Sequence, residues 1–492
     1  MARAPPGSGE WARGAALVLA LLGRSFAPVE ASMPRVARLA YVASSFYPDG
    51  SPALWGQNSL AAVRMAVDDA NREGWCGPDC AVALEDRFVF EANGTAPGSK
   101  LDAFIEFAVN SGVVALLGAD WGRVAAAALA SLDRLGATVP LISAGATGAP
   151  FGEASAYPNF LRTVYSDADG VGALLQDLAL RANSSAAGSG KLVVLFSNET
   201  LGQAGLASAL ELAPACGLKA VAAAGFASGS SAPEVRRAVR RLLPARERPV
   251  VFVSATGPDT TTALAALAAE GADGPPLGGF TVGALEAAAS TVRSAEEAEA
   301  ASGYASYLGE SPDSGRCVAA DDFESRFRGR FRRPPTGGFT SYSYDAVVLA
   351  ATGLRAARQL GRADSVEDGA SLLRAIRSEG FAVQGLASQL AFPRGKSQPC
   401  RVPLQLRQLL PGYVGGTFHE AKVASTAASA GELCPRAPIA AALSPSSLSC
   451  PPSGSGVPPL RLLCPVREQA ANACAGAGRV RTDPSAPVLL IA

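Results

Sequence analysis

Between Arg38 and Val282 the chain alternates short aliphatic runs with longer stretches of helical period. The runs Arg38–Val42, Val82–Phe88, Val113–Gly118, Val139–Ser143, Leu192–Phe196 and Val250–Val253 read as strands. Between the first two, Gln57–Asn71 puts Leu60, Val63 and Val67 on one helical face and Arg64, Asp68 and Asp69 on another. Alternation of this kind predicts βαβ units, an α/β fold whose parallel sheet is covered on both faces. There are too many alternations for one doubly wound sheet of ordinary size. Two such lobes are the economical arrangement.

Later segments are less regular. Arg293–Ala301 is a charged helical stretch, Arg316–Arg333 is basic, and Tyr342–Gln359 reads as a helix with Val347, Leu349 and Leu354 available for packing. Past Ala430, Pro, Ser and four cysteines (Cys434, Cys450, Cys464 and Cys474) dominate and no hydrophobic period is sustained. Residues 431–492 therefore read as a Cys/Pro-rich tail or the start of a connector.

Composition narrows the function classes. Hydrophobic residues at 48% against 17% charged predict a globular chain. Lys+Arg and Asp+Glu both number 43, which leaves no net field to draw nucleic acid or an acidic membrane surface. At the N-terminus, Arg3 and Arg13 precede the apolar run Ala15–Leu22 and then Val29-Glu30-Ala31, the order of a secretory signal over residues 1–31. That run falls well short of the ~20 apolar residues of a membrane span. Export agrees with the sequons at Asn93, Asn183 and Asn198 and with nine cysteines. Cys76 and Cys80 lack a second pair or nearby His, so a small-loop disulfide is expected there rather than zinc. The expected location is secreted or on the extracellular face of a membrane.

Several motifs then resemble one family, the type I periplasmic-binding-protein-like region shared by branched-chain amino-acid binding proteins, natriuretic-peptide receptors and class C G-protein-coupled receptor ectodomains. Leu39-Ala40-Tyr41-Val42, Pro48-Asp49-Gly50 to Trp55-Gly56-Gln57 and Ala66-Val67-Asp68-Asp69-Ala70-Asn71 resemble its first strand, ligand loop and first helix. Pro140 to Thr147 followed by Tyr157 to Thr163 is the most specific match. Tyr342-Ser343-Tyr344-Asp345-Ala346 and Phe381 to Phe392 resemble a late helix start and a crossover. The resemblance covers Arg38 to Val423. It implies two doubly wound parallel-sheet lobes joined by three crossovers, with ligand held between them as they hinge shut. Lobe one would take 36–164 and 303–384, and lobe two 165–302 and 385–430.

The same resemblance nominates site residues. The segment ending at Thr147 would offer the Gly145 carbonyl and the Thr147 hydroxyl to a ligand ammonium, and Trp55 and Phe339 would form aromatic walls. Where relatives place a carboxylate-binding Ser this sequence has Asp120-Trp121, and where they place a Tyr it has Leu201; Glu286 is displaced from the acidic ammonium partner. These departures count against a free amino acid. Asp120 beside Trp121 suits a cationic or aromatic ligand, with an exposed loop carboxylate as the alternative. For Thr147 the alternative is a helix cap, and for Trp55 packing in a surface loop.

No enzyme is expected. The single histidine, His419, excludes a histidine-based triad or metal cluster, and no phosphate-binding glycine motif follows a strand. Asp68-Asp69 and Asp321-Asp322 read as solvated charge. No cofactor or metal is expected, and the partner is a small-molecule ligand, amino-acid-like or an amine. Three binding roles stand open: a receptor ectodomain whose tail begins a connector to a membrane domain past the sequenced end, a secreted solute-binding protein serving a transporter, and a degenerate module kept for homodimerisation.

Overall fold

The computed structural model describes residues 35–43, 54–86, 99–184, 190–243, 249–255, 257–270, 278–280, 304–309, 318–335, 339–361, 368–392, 394–399, 401–409, 420–429 and 460–461. The leader, the stretch Arg293–Ala301, Asn93, Glu286, His419 and nearly all of the tail lie outside the described residues.

The first half builds strands β1 (Arg35–Val42), β2 (Cys80–Glu85), β3 (Val113–Gly118), β4 (Leu141–Ser143) and β5 (Phe160–Arg162) with helices α1 (Leu54–Glu73), α2 (Ser99–Asn110) and α3 (Gly122–Arg134). These strands form one sheet in the order β2-β1-β3-β4-β5, parallel throughout. All six residues of β3 are buried, which is why it reads as an unbroken apolar run rather than an alternating one. A disulfide joins Cys76 to Cys80 across the turn from α1 into β2, as the spacing predicted.

The chain then crosses at Thr163–Ser166 and enters a second unit: α4 (Asp167–Ser184), β6 (Lys191–Ser197), α5 (Thr200–Leu212), β7 (Lys219–Phe226), α6 (Ala232–Leu242), β8 (Val250–Ser254), α7 (Gly257–Glu270), β9 (Gly278–Phe280) and β10 (Tyr304–Gly309). Strands β7-β6-β8-β9-β10 are parallel neighbours in that order. Here the structure departs from the expected boundary. Gly303 was taken to open the return to lobe one, yet Tyr304–Gly309 pairs with β9 and belongs to the second sheet. The return follows it, with α8 (Val318–Phe331), α9 (Thr340–Gln359) and α10 (Gly369–Ile376).

α9 is buried almost all round because it packs along α1 under the first sheet. Phe323 and Phe327 of α8 join Tyr344, Val347 and Leu354 of α9 in the lobe-one core with Leu60 and Val63. Asp69, expected to be solvated, is instead fully buried there: Arg326 of α8 pairs with its carboxylate, and Tyr344 donates its hydroxyl to it at 2.7 Å. Its neighbour Asp68 does stay exposed, paired with Arg330.

A third crossover carries the short strands β11 (Val383–Gln384) and β12 (Gln389–Leu390) into β13 (Arg401–Leu409), β14 (Glu420–Ser429) and β15 (Leu460–Arg461). β13 runs antiparallel to β10 and β14. The second sheet is therefore mixed, a parallel centre with an antiparallel flank. Phe381, Val383, Leu386, Leu390 and Phe392 of this crossover remain packed in the lobe-one core.

Candidate ligand-binding site

In a parallel sheet the loops leaving the carboxyl ends of the strands share one edge, and ligands bind beyond that edge. In lobe one the three central neighbours β1, β3 and β4 send out the loops that lead to Trp55, to Asp120-Trp121 and to Gly145-Thr147. The structure brings these together. The Trp55 ring lies 5.8 Å from Trp121 and 5.7 Å from Phe339, tilted to the first and edge-on to the second. All three rings are half-buried. Phe339 immediately precedes α9 and packs against the cluster at the seam between lobes, which contains Tyr165, Tyr342 and Ala144. Trp55 is thus part of an aromatic wall rather than a side chain in an isolated surface loop.

Asp120 is not an exposed loop carboxylate. At 4% exposure it is turned inward against Tyr41 and the β4 loop, and Ala119 before it adopts a left-handed backbone (φ 52°) as the chain leaves β3. Its carboxylate accepts from the Tyr41 hydroxyl at 3.3 Å, the Ser143 hydroxyl at 3.3 Å and the Ala144 N–H at 3.1 Å. Burial pushes its pKa up to about 6, with those hydrogen bonds opposing the shift. A Cβ on Gly145 would come within 2.6 Å of the Asp120 Cβ, so only glycine lets the two loops approach this closely. Asp120 therefore holds the loops after β3 and β4 together through internal hydrogen bonds.

Gly145 and Thr147 are also turned to internal partners. The Gly145 carbonyl accepts the Thr147 N–H at 2.9 Å, and the Thr147 hydroxyl bonds the buried Asp167 at the start of α4. The Thr147 carbonyl accepts the Asp167 N–H, so this residue links the β4 loop to the first helix of lobe two. Beneath them lies Arg162, fully buried, whose guanidinium donates to the carbonyls of Thr147 at 2.9 Å and Gly148 at 3.0 Å and to Gln398 of the third crossover. Burial lowers its pKa to about 10, opposed by Asp169 and Asp167.

Leu201 stands on the other lobe, half-buried in the first turn of α5, where its carbonyl accepts the Ser254 hydroxyl at 3.2 Å. Two residues escaped the sequence reading. Arg123, in the first turn of α3, lays its guanidinium over the Trp121 ring at 5.5 Å. Asp259, buried at the start of α7, accepts from the Ser228 hydroxyl at 2.7 Å and the Gly229 N–H at 2.8 Å, tying the loops after β7 and β8 into one rim. Position in the first turn of a helix after a strand was the available signal for both. Among the described residues no group of three or more His, Cys, Asp or Glu gathers in a form that would hold a metal, and no helix is long and apolar enough to cross a membrane.

This arrangement, two α/β units between which the chain crosses, matches known proteins. The family model described as periplasmic binding protein covers residues 43–399, and the chain belongs to that family. A search of curated protein sequences finds no significant match. Among solved structures, an ABC transporter substrate-binding protein from Sphaerobacter thermophilus superposes with a TM-score of 0.61 at 17% identity, over 80% of this chain and 99% of that one. A solute binding protein of an ABC transporter from Rhodopseudomonas palustris, in complex with 3,4-dihydroxybenzoic acid, gives 0.58 at 17% identity, over 80% and 98%. A branched-chain amino acid transporter substrate binding protein from Streptococcus pneumoniae, in complex with isoleucine, gives 0.57 at 17% identity, over 79% and 100%. At this identity the likeness establishes the fold.

Proposed function

We propose that this chain is an extracytoplasmic solute-binding protein whose lobes close on a small organic anion with an aromatic or branched apolar body. The observation that carries the reading is the aromatic wall of Trp55, Trp121 and Phe339 at the carboxyl edge of the first sheet, with Arg123 stacked on Trp121. Half-buried rings supply the apolar contact such a ligand needs. The first turn of α3 begins at Trp121 without a side-chain cap, so its backbone N–H groups and Arg123 together favour negative charge. The groups expected to hold an ammonium, at Asp120, Gly145 and Thr147, are engaged within the protein. This shifts the expected ligand from an amine or free amino acid towards an anion. The three structural neighbours are all transporter binding proteins, two of them in complex with small molecules that carry a carboxyl group, and they favour transport delivery over signalling.

The receptor reading keeps one specific support, the four cysteines after lobe two in a chain that also carries three sequons. Reading the transcript past Ala492 separates the two roles, since a membrane domain there would identify a receptor.

The ligand class is tested by thermal denaturation and calorimetry of the purified chain with 3,4-dihydroxybenzoate, benzoate, isoleucine and choline. A ligand at a hundred times its Kd stabilises by about 2.7 kcal/mol, so a fitting anion raises Tm. A response to isoleucine or choline alone, or to none of the four, overturns the proposal.

A further inference from the structure

Lobe closure needs a pivot, and one buried carboxylate gathers the segments that would form it. Asp345, in the second turn of α9, is fully buried. Its two oxygens accept three successive backbone N–H groups of the third crossover: Leu386 on one oxygen, then Ala387 at 3.0 Å and Ser388 at 3.1 Å on the other. The Ser388 hydroxyl lies 3.4 Å from both the Asp345 carboxylate and the carbonyl of Thr163 in the first crossover. Thr163 closes the loop, donating its hydroxyl to the Tyr342 carbonyl at 2.8 Å. Its N–H reaches the Ser143 carbonyl at the end of β4, 3.0 Å away, next to the candidate site. A Cβ on Gly385 would sit 2.5 Å from the Asp345 carboxyl oxygens, so the turn lies against the carboxylate as closely as a backbone can.

We infer that Asp345 is the hinge pin: its carboxylate positions the third crossover against the first and so sets how far the lobes open. A carboxylate suits this because two oxygens satisfy three donors that would otherwise be buried without partners. Fixing one turn of one crossover on a rigid helix leaves the flanking residues of both crossovers as the positions that absorb rotation. Tyr342 belongs to the seam cluster and Tyr344 to the lobe-one core, so the first two turns of α9 join the pivot to both bodies. For its consequence, ligand capture, the inference rests on the binding reading above; the pivot itself does not need a ligand.

The test is therefore made on the ligand-free full chain, so a failed ligand screen leaves it untouched. Spin labels are attached through genetically encoded ketone residues at exposed Leu135 in lobe one and exposed Leu210 in lobe two, and the interlobe distance distribution is measured for wild type and Asp345→Asn. Asparagine keeps the volume but offers one acceptor oxygen in place of two. The distribution is expected to shift or broaden by more than about 2 Å, and amide exchange at Leu386, Ala387 and Ser388 to quicken by about tenfold. A purely structural role would lower the melting temperature without moving the distance distribution, and that result overturns the inference. Should Asp345→Asn not fold, Ser388→Ala, which removes the hydroxyl bridging Asp345 and Thr163 but keeps the three backbone N–H bonds to the carboxylate, carries the test: a broadened distribution supports the pivot, and an unchanged one overturns it.

Discussion

Trp55 stands edge-on to Phe339, 5.7 Å between ring centres, although 284 positions separate them in the chain. This contact ties the start of α1, in the loop region after β1, to the entry of α9 at the lobe seam. An edge-to-face pair of this kind contributes about 0.5–1.5 kcal/mol beyond the area it covers. Trp55→Ala is therefore expected to lower stability by about 1 kcal/mol and, under the binding reading, to weaken the ligand more than tenfold. Urea denaturation and calorimetry separate the two effects. A variant that loses stability but keeps full affinity would remove Trp55 from the ligand wall.

Asp69 gives a sharper stability prediction. Its buried carboxylate serves Arg326, Arg72 and the Tyr344 hydroxyl, so Asp69→Ala leaves a partly buried guanidinium and a buried hydroxyl without their acceptor. Breaking one side of such a pair costs about 3–5 kcal/mol. Urea unfolding should show that loss, while Asp68→Ala next to it, an exposed pair with Arg330, should stay within about 1 kcal/mol of wild type. Equal effects of the two substitutions would contradict the burial difference.

The contrast between those two aspartates shows what was legible in the sequence. Strands such as Val113–Gly118 and Val250–Ser254 declare themselves because burial on both faces demands unbroken apolar runs. β7, Lys-Ala-Val-Ala-Ala-Ala-Gly-Phe, escaped because alanine disfavours strands and only one of its eight positions is fully buried. Tyr304–Gly309 was given to the wrong lobe since a crossover has no period of its own, and only pairing with β9 and β13 assigns it. Asp69 reads as solvated charge, and Asp120 as a ligand group or an exposed loop carboxylate, because their partners are remote: Arg326 follows Asp69 by 257 positions, and Ser143 follows Asp120 by 23. Trp55 and Phe339 were named by motif and Trp121 as a departure from it; that the three rings meet was not legible, because they lie far apart in the chain. Arg123 was not legible either, since its role depends on a side chain folding back over its neighbour.

Arg162 tests how the β4 loop is held. Its guanidinium reaches the carbonyls of Thr147 and Gly148 and the side chain of Gln398, a planar fork that an ammonium on a flexible stem does not reproduce. Arg162→Met removes a charged donor shared by the Thr147 and Gly148 carbonyls and Gln398 and is expected to destabilise by about 3 kcal/mol or more. Arg162→Lys should recover only part of this, because one ammonium does not span all of the acceptors. Full recovery by lysine, measured by urea unfolding, would show that charge rather than the forked geometry holds the loop.

The pH dependence of stability is led by the three carboxylates with the largest shifts, which pull in two directions, while burial raises Asp167 and Asp177 as well and adds to the upward side. Burial raises Asp120 to about 6 and Asp345 to about 7, so near neutral pH the folded chain holds protons that the unfolded chain has released. Where the folded state binds more protons, stability falls as pH rises. The loss begins above the unfolded value near 4 and is complete once pH passes the folded values, at up to about 1.4 kcal/mol per pH unit for each group. Glu270 works the opposite way: hydrogen bonds from Arg240 and Arg236 hold it at about 2, so what it adds is present above its unfolded value near 4.5 and fades as pH falls towards 2. Its partners Arg236 and Arg240 are exposed, so its share is small. The expected curve of Tm against pH peaks between about 4 and 5 and declines towards 8, earlier than for most globular chains. Asp120→Asn, whose amide oxygen still accepts from Ala144 and whose NH2 donates to Tyr41, should remain folded and flatten the decline between pH 4 and 6 while leaving the part above 6, which Asp345 controls. A decline in the variant as steep as in wild type over pH 4–6 would show that the Asp120 carboxylate does not hold its proton there.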